Sequence, residues 1–308
     1  MAGHGKEDQN ISDRFKALEV DHKGVFKEYL EQDPPEISEF TFTNLFMWRH
    51  RYHPLWCIWG GCLLVILQPE EETPFGFQPV GAGDKAQALN DLTDALYHWT
   101  AEPRICRVSE RFKDIHVDPL CYDVVPDRNN SDYVYRAEDL IRLPGKKYHR
   151  KKNHVNRFLK QNEFFYREMD MELVECFLDM QEAWCQMKAC MENPDLLSED
   201  FAVREALIWF EDLGYRGGAI QIHDRIEAFA LGEILSPETA VIHVEKANPE
   251  FPGLYGVINQ LFCKHAFSDM TYINREQDLG IEGLRKAKKS YHPHHMVNKY
   301  TLIPKSPA

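Results

Sequence analysis

The sequence predicts an α/β (α+β) fold made of two tandem domains that share one plan. The last third of the chain alternates strand-period and helix-period apolar patterns in the order strand, strand, strand, helix, strand, helix, strand. The first half repeats much of that order. At 308 residues with 44% hydrophobic side chains, the chain is long and apolar enough to pack two cores.

Taken in order, residues 1–9 are polar and expected to be disordered. Residues 23–32 read as a helix closed by Asp33, Pro34 and Pro35, and a second helix covers 43–50 after a cap at Ser38 or Thr41. Strands 55–59 and 62–68 meet at Gly60 and Gly61, a hairpin signal. A strand at 74–80 runs into Gly81, Ala82 and Gly83, and Asp84 then caps a helix with Leu89, Leu92, Leu96 and Trp99 on one face. Residues 104–108 form the next strand. Residues 121–125 and 133–135 read as strands that complete the first domain.

The second domain opens with paired helices. One spans 170–192, with Leu173, Phe177, Met180, Trp184 and Met187 on one face. The other spans 198–212, capped by Ser198 and ended at Gly214. Strands 217–223 and 226–234 form a hairpin across Asp224 and Arg225. Strand 239–246 breaks at Asn248-Pro249 and Pro252-Gly253. Leu254, Val257, Ile258, Leu261 and Phe262 mark one face of a helix. A strand at 270–274, a basic helix at 280–289 and a strand at 295–302 finish the chain. The expected division is 1–141, a basic connecting segment at 142–165, and 166–308 with the active cleft.

The element order matches the GNAT acyltransferase fold, in which two neighbouring strands splay and an activated acyl donor lies between them. The segments 244–248 (Val-Glu-Lys-Ala-Asn), 274–280 (Asn-Arg-Glu-Gln-Asp-Leu-Gly) and 283–288 (Gly-Leu-Arg-Lys-Ala-Lys), with Ser290 and Tyr291, carry a closer likeness. They resemble a bacterial family of unknown function related to the C-terminal domain of phosphatidylglycerol lysyltransferase. Its plan is similar to that of the tandem-GNAT Fem-type aminoacyltransferases. The resemblance covers most of residues 20–303. It implies an acyltransferase that moves an aminoacyl group from charged tRNA to an amine, a lipid headgroup or another hydroxyl acceptor.

Composition narrows the classes. A net charge of −13 argues against nonspecific DNA binding. No apolar run reaches the roughly 18–20 residues that span a bilayer, and no signal-peptide pattern is read at the start, so a cytoplasmic protein with at most peripheral membrane contact is expected. The eight cysteines lack zinc spacing and are read as reduced, mostly buried thiols. No metal is expected; Pro293 and strand alternation argue against convergence of His292, His294 and His295.

Acyl transfer to an amine needs a base for the ammonium and donors for the oxyanion. Glu245 sits on the strand where this fold commonly holds its base, with His243 two residues before it and hence on the same face. Glu245 reads as base or amine anchor, or as a solvent-facing residue paired with Lys246 or Arg225. Glu276 and Asp278 follow the next strand and suit a cationic group, although Asp278 equally suits a helix cap. Asn248, Asn274, Arg275, Arg285 and Tyr291 complete the expected substrate contacts.

Residues 142–160 hold eight Lys/Arg and no acid. Lys146, Lys147, Arg150, Lys151, Asn153 and Arg157 suggest polyanion contact, with tRNA, nucleotide or lipid phosphate, or else a bridge paired with acids of both domains. An alternative donor is CoA or acetyl-CoA. Gln78, Gly81 and Gly83 fit the Gln-x-x-Gly-x-Gly pattern that cradles pyrophosphate on backbone N–H groups, or simply make a turn. A third reading is a ligand sensor that keeps the fold without turnover.

Overall fold

The computed structural model describes residues 10–70 and 72–305, so the expectation for residues 1–9 falls outside it. The chain divides into two compact units. One holds the described residues up to Asp33, residues 51–126 and the chain from Tyr300 on; the other holds residues 34–50 and 127–299. This differs from cuts at 141 and 165. Residues 34–50 and the whole basic segment belong to the second unit, and the last strand returns to the first.

The sheet of the first unit runs in the order Lys16–Ala17, Leu55–Trp59, Cys62–Leu67, Phe75–Phe77, Ile105–Ser109, Lys299–Pro304, Tyr122–Pro126, with Val80–Gly81 also on Cys62–Leu67. Phe75–Phe77 and Ile105–Ser109 run parallel, joined by the helix Lys85–Leu96. Asp84 Oδ1 caps that helix by accepting from the Ala86 and Gln87 N–H groups, each at 3.1 Å. Its Ala88, Leu89, Leu92 and Leu96 pack on Leu64, Ile66 and Ile105.

The second unit has a seven-stranded sheet in the order His295–Val297, Asp132–Arg136, Tyr272–Asn274, Thr239–Ala247, Arg225–Ser236, Arg216–Ile222, Phe165–Glu168. The helix Leu254–Ala266 buries Val257, Ile258 and Phe262 against Ile220, Ala230 and Ile242. The basic helix His149–Gln161 joins the same core through Val155 and Phe158.

Several expectations are corrected. Residues 133–135 do not complete the first domain. Tyr133 and Tyr135 are wholly buried in the second core, and their strand lies between His295–Val297 and Tyr272–Asn274. The strand expected at 295–302 is two: His295–Val297 pairs with Asp132–Arg136, and Lys299–Pro304 with Tyr122–Pro126. Ser198 lies inside the helix Pro194–Ile208, because Asn193 caps it and Pro194 fills its first turn. Cys185 and Cys190 form a disulfide where reduced thiols were expected; the chain doubles back at Ala189, in the left-handed region at φ 50°, and brings the two Cα atoms to 5.2 Å. Among the described residues no helix is long and apolar enough to cross a membrane.

Candidate functional site

The site forms where two parallel strands of the second unit stop pairing. Thr239–Ala247 and Tyr272–Asn274 are in register only from Thr239↔Tyr272 to Val241↔Asn274. Beyond Val241 the longer strand continues without this neighbour, as the GNAT resemblance implied. A β-bulge follows at once: Ile242 opposes Gly232 and Val244 opposes Leu231, which leaves His243 as the extra residue. The bulge shifts the alternation by one. Ile242 and Ala247 line the core with helix Leu254–Ala266, and Glu245 points to the same helix. His243 is sent to the other face, so it does not share a face with Glu245 as expected.

The opposite wall is built by residues 274–276. The Arg275 N–H donates to the Tyr133 carbonyl at 2.9 Å, and the Glu276 carbonyl accepts from the Tyr133 N–H at 3.1 Å. Glu276 adopts a left-handed φ of 58°, which turns its side chain away from that of Arg275. Arg275 enters the opening. Its Nε is 3.0 Å from Glu245 Oε2, and Nη2 donates to the same oxygen. Asn259 Nδ2 donates to Glu245 Oε1 at 2.8 Å. Three donors therefore fix a carboxylate that has about four acceptor positions.

Cations outnumber carboxylates here. The Arg275 guanidinium lies 4.7 Å from the Tyr291 ring centre and 5.7 Å from that of Tyr135. Lys151 Nζ sits 3.5 Å over Tyr291. Lys288 Nζ donates to the Arg275 carbonyl. Burial, reinforced by Arg275, lowers both lysines to about 8. Arg275 Nη1 and Asn259 Oδ1 are buried without a hydrogen-bond partner among the described residues. Three cations and the idle Arg275 Nη1 donor suit a ligand group that carries or develops negative charge, whereas the oriented carboxylate and the idle Asn259 Oδ1 can only accept from a donor on the ligand.

Other expected residues serve the frame. His243 Nε2 is 2.9 Å from Glu233 and Nδ1 is 2.8 Å from Glu276. Burial opposes its charge, but the two carboxylates outweigh it and push the imidazole up to about 10. Glu276, which also accepts from Asn44 at 3.4 Å, is thereby tied to an imidazolium rather than aimed at the opening. Asp278 is fully buried and accepts from Arg285 Nε and Nη2 (2.8 Å each), the Tyr133 hydroxyl (2.6 Å), Arg128 (3.3 Å) and the Gly280 N–H (2.9 Å). Those donors overcome burial and hold its carboxyl well below the usual range. It braces a turn; it neither caps the helix Glu282–Lys289 nor has a lone pair to offer a substrate. Arg285 is correspondingly engaged. Asn274 joins Asp132 (3.0 Å) to the Glu276 N–H (2.8 Å). Asn248 donates to Glu227 at 2.8 Å and borders a separate cavity of about 450 Å³.

Of the basic residues, Lys151 turns inward and Lys147 meets Asp139 at 3.4 Å. Lys146, Arg150, Asn153 and Arg157 are exposed. His292 faces the Lys147 carbonyl while His294 and His295 lie beside Tyr272, so the three do not converge.

The glycine motif of the first unit is a turn with its donors in use. The Gly81 N–H donates to Asp33 Oδ2 and the Gly83 N–H to the Gly61 carbonyl, both at 3.2 Å. Gln78 Oε1 accepts from the Ser109 N–H at 2.7 Å. A Cβ on Gly83 would lie 2.0 Å from the Gly60 oxygen. A pyrophosphate there would face the carboxylates of Asp33 and Asp84, so this segment does not fit the CoA role expected of Gln78, Gly81 and Gly83.

Sequence reasoning missed Asn259, Tyr135 and the His243–Glu233 contact. Only Asn259 left a signal: a polar residue set among Val257, Ile258 and Phe262 on an apolar helix face.

The two-sheet plan is that of tandem GNAT-like acyltransferases. A conserved protein of unknown function from Bacteroides thetaiotaomicron is 31% identical and superimposes with a TM-score of 0.88 over 94% of this chain and 99% of its own. The L-PGS of Bacillus licheniformis shares the fold at 12% identity, with a TM-score of 0.63 over 92% of each chain. An uncharacterized protein of Mycoplasmoides gallisepticum is 26% identical over 190 residues, and the chain spans 59% of the length of that curated relative. The profile of the family described as phosphatidylglycerol lysyltransferase, C-terminal, matches residues 32–303, and the chain belongs to that family.

Proposed function

We propose that the chain is a transferase that moves an aminoacyl group from charged tRNA to an amine or hydroxyl acceptor. The observation that carries this is the opening between the parted strands, where Glu245 is fixed by Arg275 and Asn259 beneath an excess of positive charge. The acceptor donates to the lone pair left on Glu245 Oε1, and its nitrogen or oxygen attacks the ester carbonyl. Arg275 Nη1 meets the oxyanion. The ester C–O bond then breaks, and the ribose oxygen takes a proton as tRNA leaves. Lysines lowered to about 8 are partly neutral near pH 8, so Lys151 is the residue suited to accept the acceptor's proton.

Membership of a lysyltransferase family and the exposed basic helix support tRNA as the donor. Binding of charged tRNA should weaken steeply with salt, and Arg150→Gln or Arg157→Gln should each reduce the log–log slope by about 1 at most. Filter binding across a salt series measures this. A flat salt response with stabilisation by CoA would refute the tRNA reading; salt-sensitive binding without transfer would leave a sensor.

A further inference from the structure

Asn259 is fully buried in the middle of the helix Leu254–Ala266, and only one end of its amide is in use. Nδ2 donates to Glu245 Oε1 at 2.8 Å and lies 4.0 Å from Cys263 Sγ. Oδ1, the other end of the same amide, accepts from nothing among the described residues. A buried acceptor in that state is costly unless a ligand fills it. Glu245 Oε1 keeps a lone pair of its own, and its side chain is 14% exposed, so the carboxylate can be reached. Two hydrogen bonds of about 2.9 Å from one nitrogen span both acceptors.

The charge around them selects the form of that nitrogen. Arg275 holds the other carboxylate oxygen, Lys288 sits on the Arg275 carbonyl, and Lys151 lies over Tyr291. An ammonium would meet this excess of positive charge; a neutral amine does not. A neutral primary amine carries two N–H donors and one lone pair. A hydroxyl carries one donor and would leave one of the two acceptors idle. We infer, building on the transfer reading above, that the acceptor is a primary amine whose two N–H groups go to Asn259 Oδ1 and Glu245 Oε1. Its lone pair is then the part free to attack. Nitrogen bonds to the ester carbon, the C–O bond to ribose breaks, one proton leaves the nitrogen and one joins the ribose oxygen.

Propylamine and N-methylpropylamine test this as acceptors, with labelled aminoacyl-tRNA as donor, for the full chain and for Asn259→Leu. The N-methyl amine has one N–H when neutral, so transfer to the primary amine should be faster by roughly tenfold or more. Leucine keeps the branched shape of asparagine without its oxygen, so in Asn259→Leu the ratio should approach one while both rates fall. Its melting temperature reports its folding, and the comparison on the unaltered chain stands without it. A ratio near one in the unaltered chain, or the same ratio in both proteins, would overturn the inference. A second arm needs no tRNA: propylamine should raise the melting temperature of the unaltered chain more than its N-methyl analogue does, and Asn259→Leu should lose that difference. That difference without transfer to any acceptor would sink the transfer reading and keep the amine site; transfer without preference for the primary amine would do the reverse. With an N-acetylated aminoacyl-tRNA as donor the ratio should persist. Its loss would place the donor's own amino group on Asn259 and refute an acceptor amine there.

Discussion

An Arg275→Met protein is expected to lose transfer by at least ~100-fold and stability by about 3–5 kcal/mol. The two losses have separate causes. Glu245 and Arg275 are each only 14% exposed in their side chains, so removing the guanidinium leaves a largely buried carboxylate with Asn259 as its remaining donor. Removing one partner of such a pair costs far more than the pair contributes over a well-packed apolar replacement. In the proposed reaction activity falls because Arg275 is the donor to the oxyanion. A second substitution, Glu245→Leu on the same background, should restore much of the stability and none of the transfer. Denaturant unfolding and a transfer assay on both variants check this. Unimpaired transfer by Arg275→Met would remove the guanidinium from the mechanism.

Lys299→Met is expected to be the most destabilising substitution outside the opening. Lys299 Nζ is 2.5 Å from Glu39 Oε2 and 2.6 Å from Asp132 Oδ1, and the lysine side chain is fully buried. Asp132 is also fully buried and accepts from the Ser38 N–H at 2.9 Å, the Ser38 hydroxyl at 3.0 Å and Asn274 at 3.0 Å. Burial pushes its carboxyl up, and Lys299 is the cation that opposes this. Without that cation two carboxylates stay buried together, a loss of about 3–5 kcal/mol, or roughly 6–15 °C in Tm. The sign of the pH dependence follows. A carboxyl whose folded value is raised above its unfolded one stabilises as pH falls, so the deficit should shrink on acidification as Asp132 takes a proton. Lys299→Met with Asp132→Asn should recover part of the loss at neutral pH. A deficit that grows on acidification would contradict this account.

Asn274 connects these two centres, since one amide holds Asp132 and the Glu276 N–H from which the turn toward Arg275 is set. That link explains why some of the site was legible in the sequence and some was not. Apolar periodicity located the strand with Glu245, the helix after it and the strand before Arg275, because each is a local pattern. The bulge at His243 is a mismatch of register with Leu231 and Gly232 and leaves no trace in its own strand. Hence the pairing of His243 with Glu245 failed. Asp278 read as a cap or a substrate anchor because its neighbours permit both; Arg128 and Tyr133, which decide its role, lie 150 and 145 residues away. Lys299 looked like an ordinary strand residue, as its partners are 260 and 167 positions distant. The Gln78–Gly83 motif had the right letters, but Asp33 and Gly61 already use its N–H groups.

Single-turnover discharge of a labelled aminoacyl-tRNA, by the protein and by Glu245→Gln, tests the proposed reaction most directly. The account predicts that the protein passes the label to an added amine or hydroxyl acceptor. Glu245→Gln, which puts a neutral amide where the carboxylate receives the acceptor's hydrogen bond, should bind the charged tRNA with unchanged affinity and discharge it at least ~100-fold more slowly. Equal rates for the two proteins, or charged tRNA that stays intact with every acceptor class offered, would contradict it.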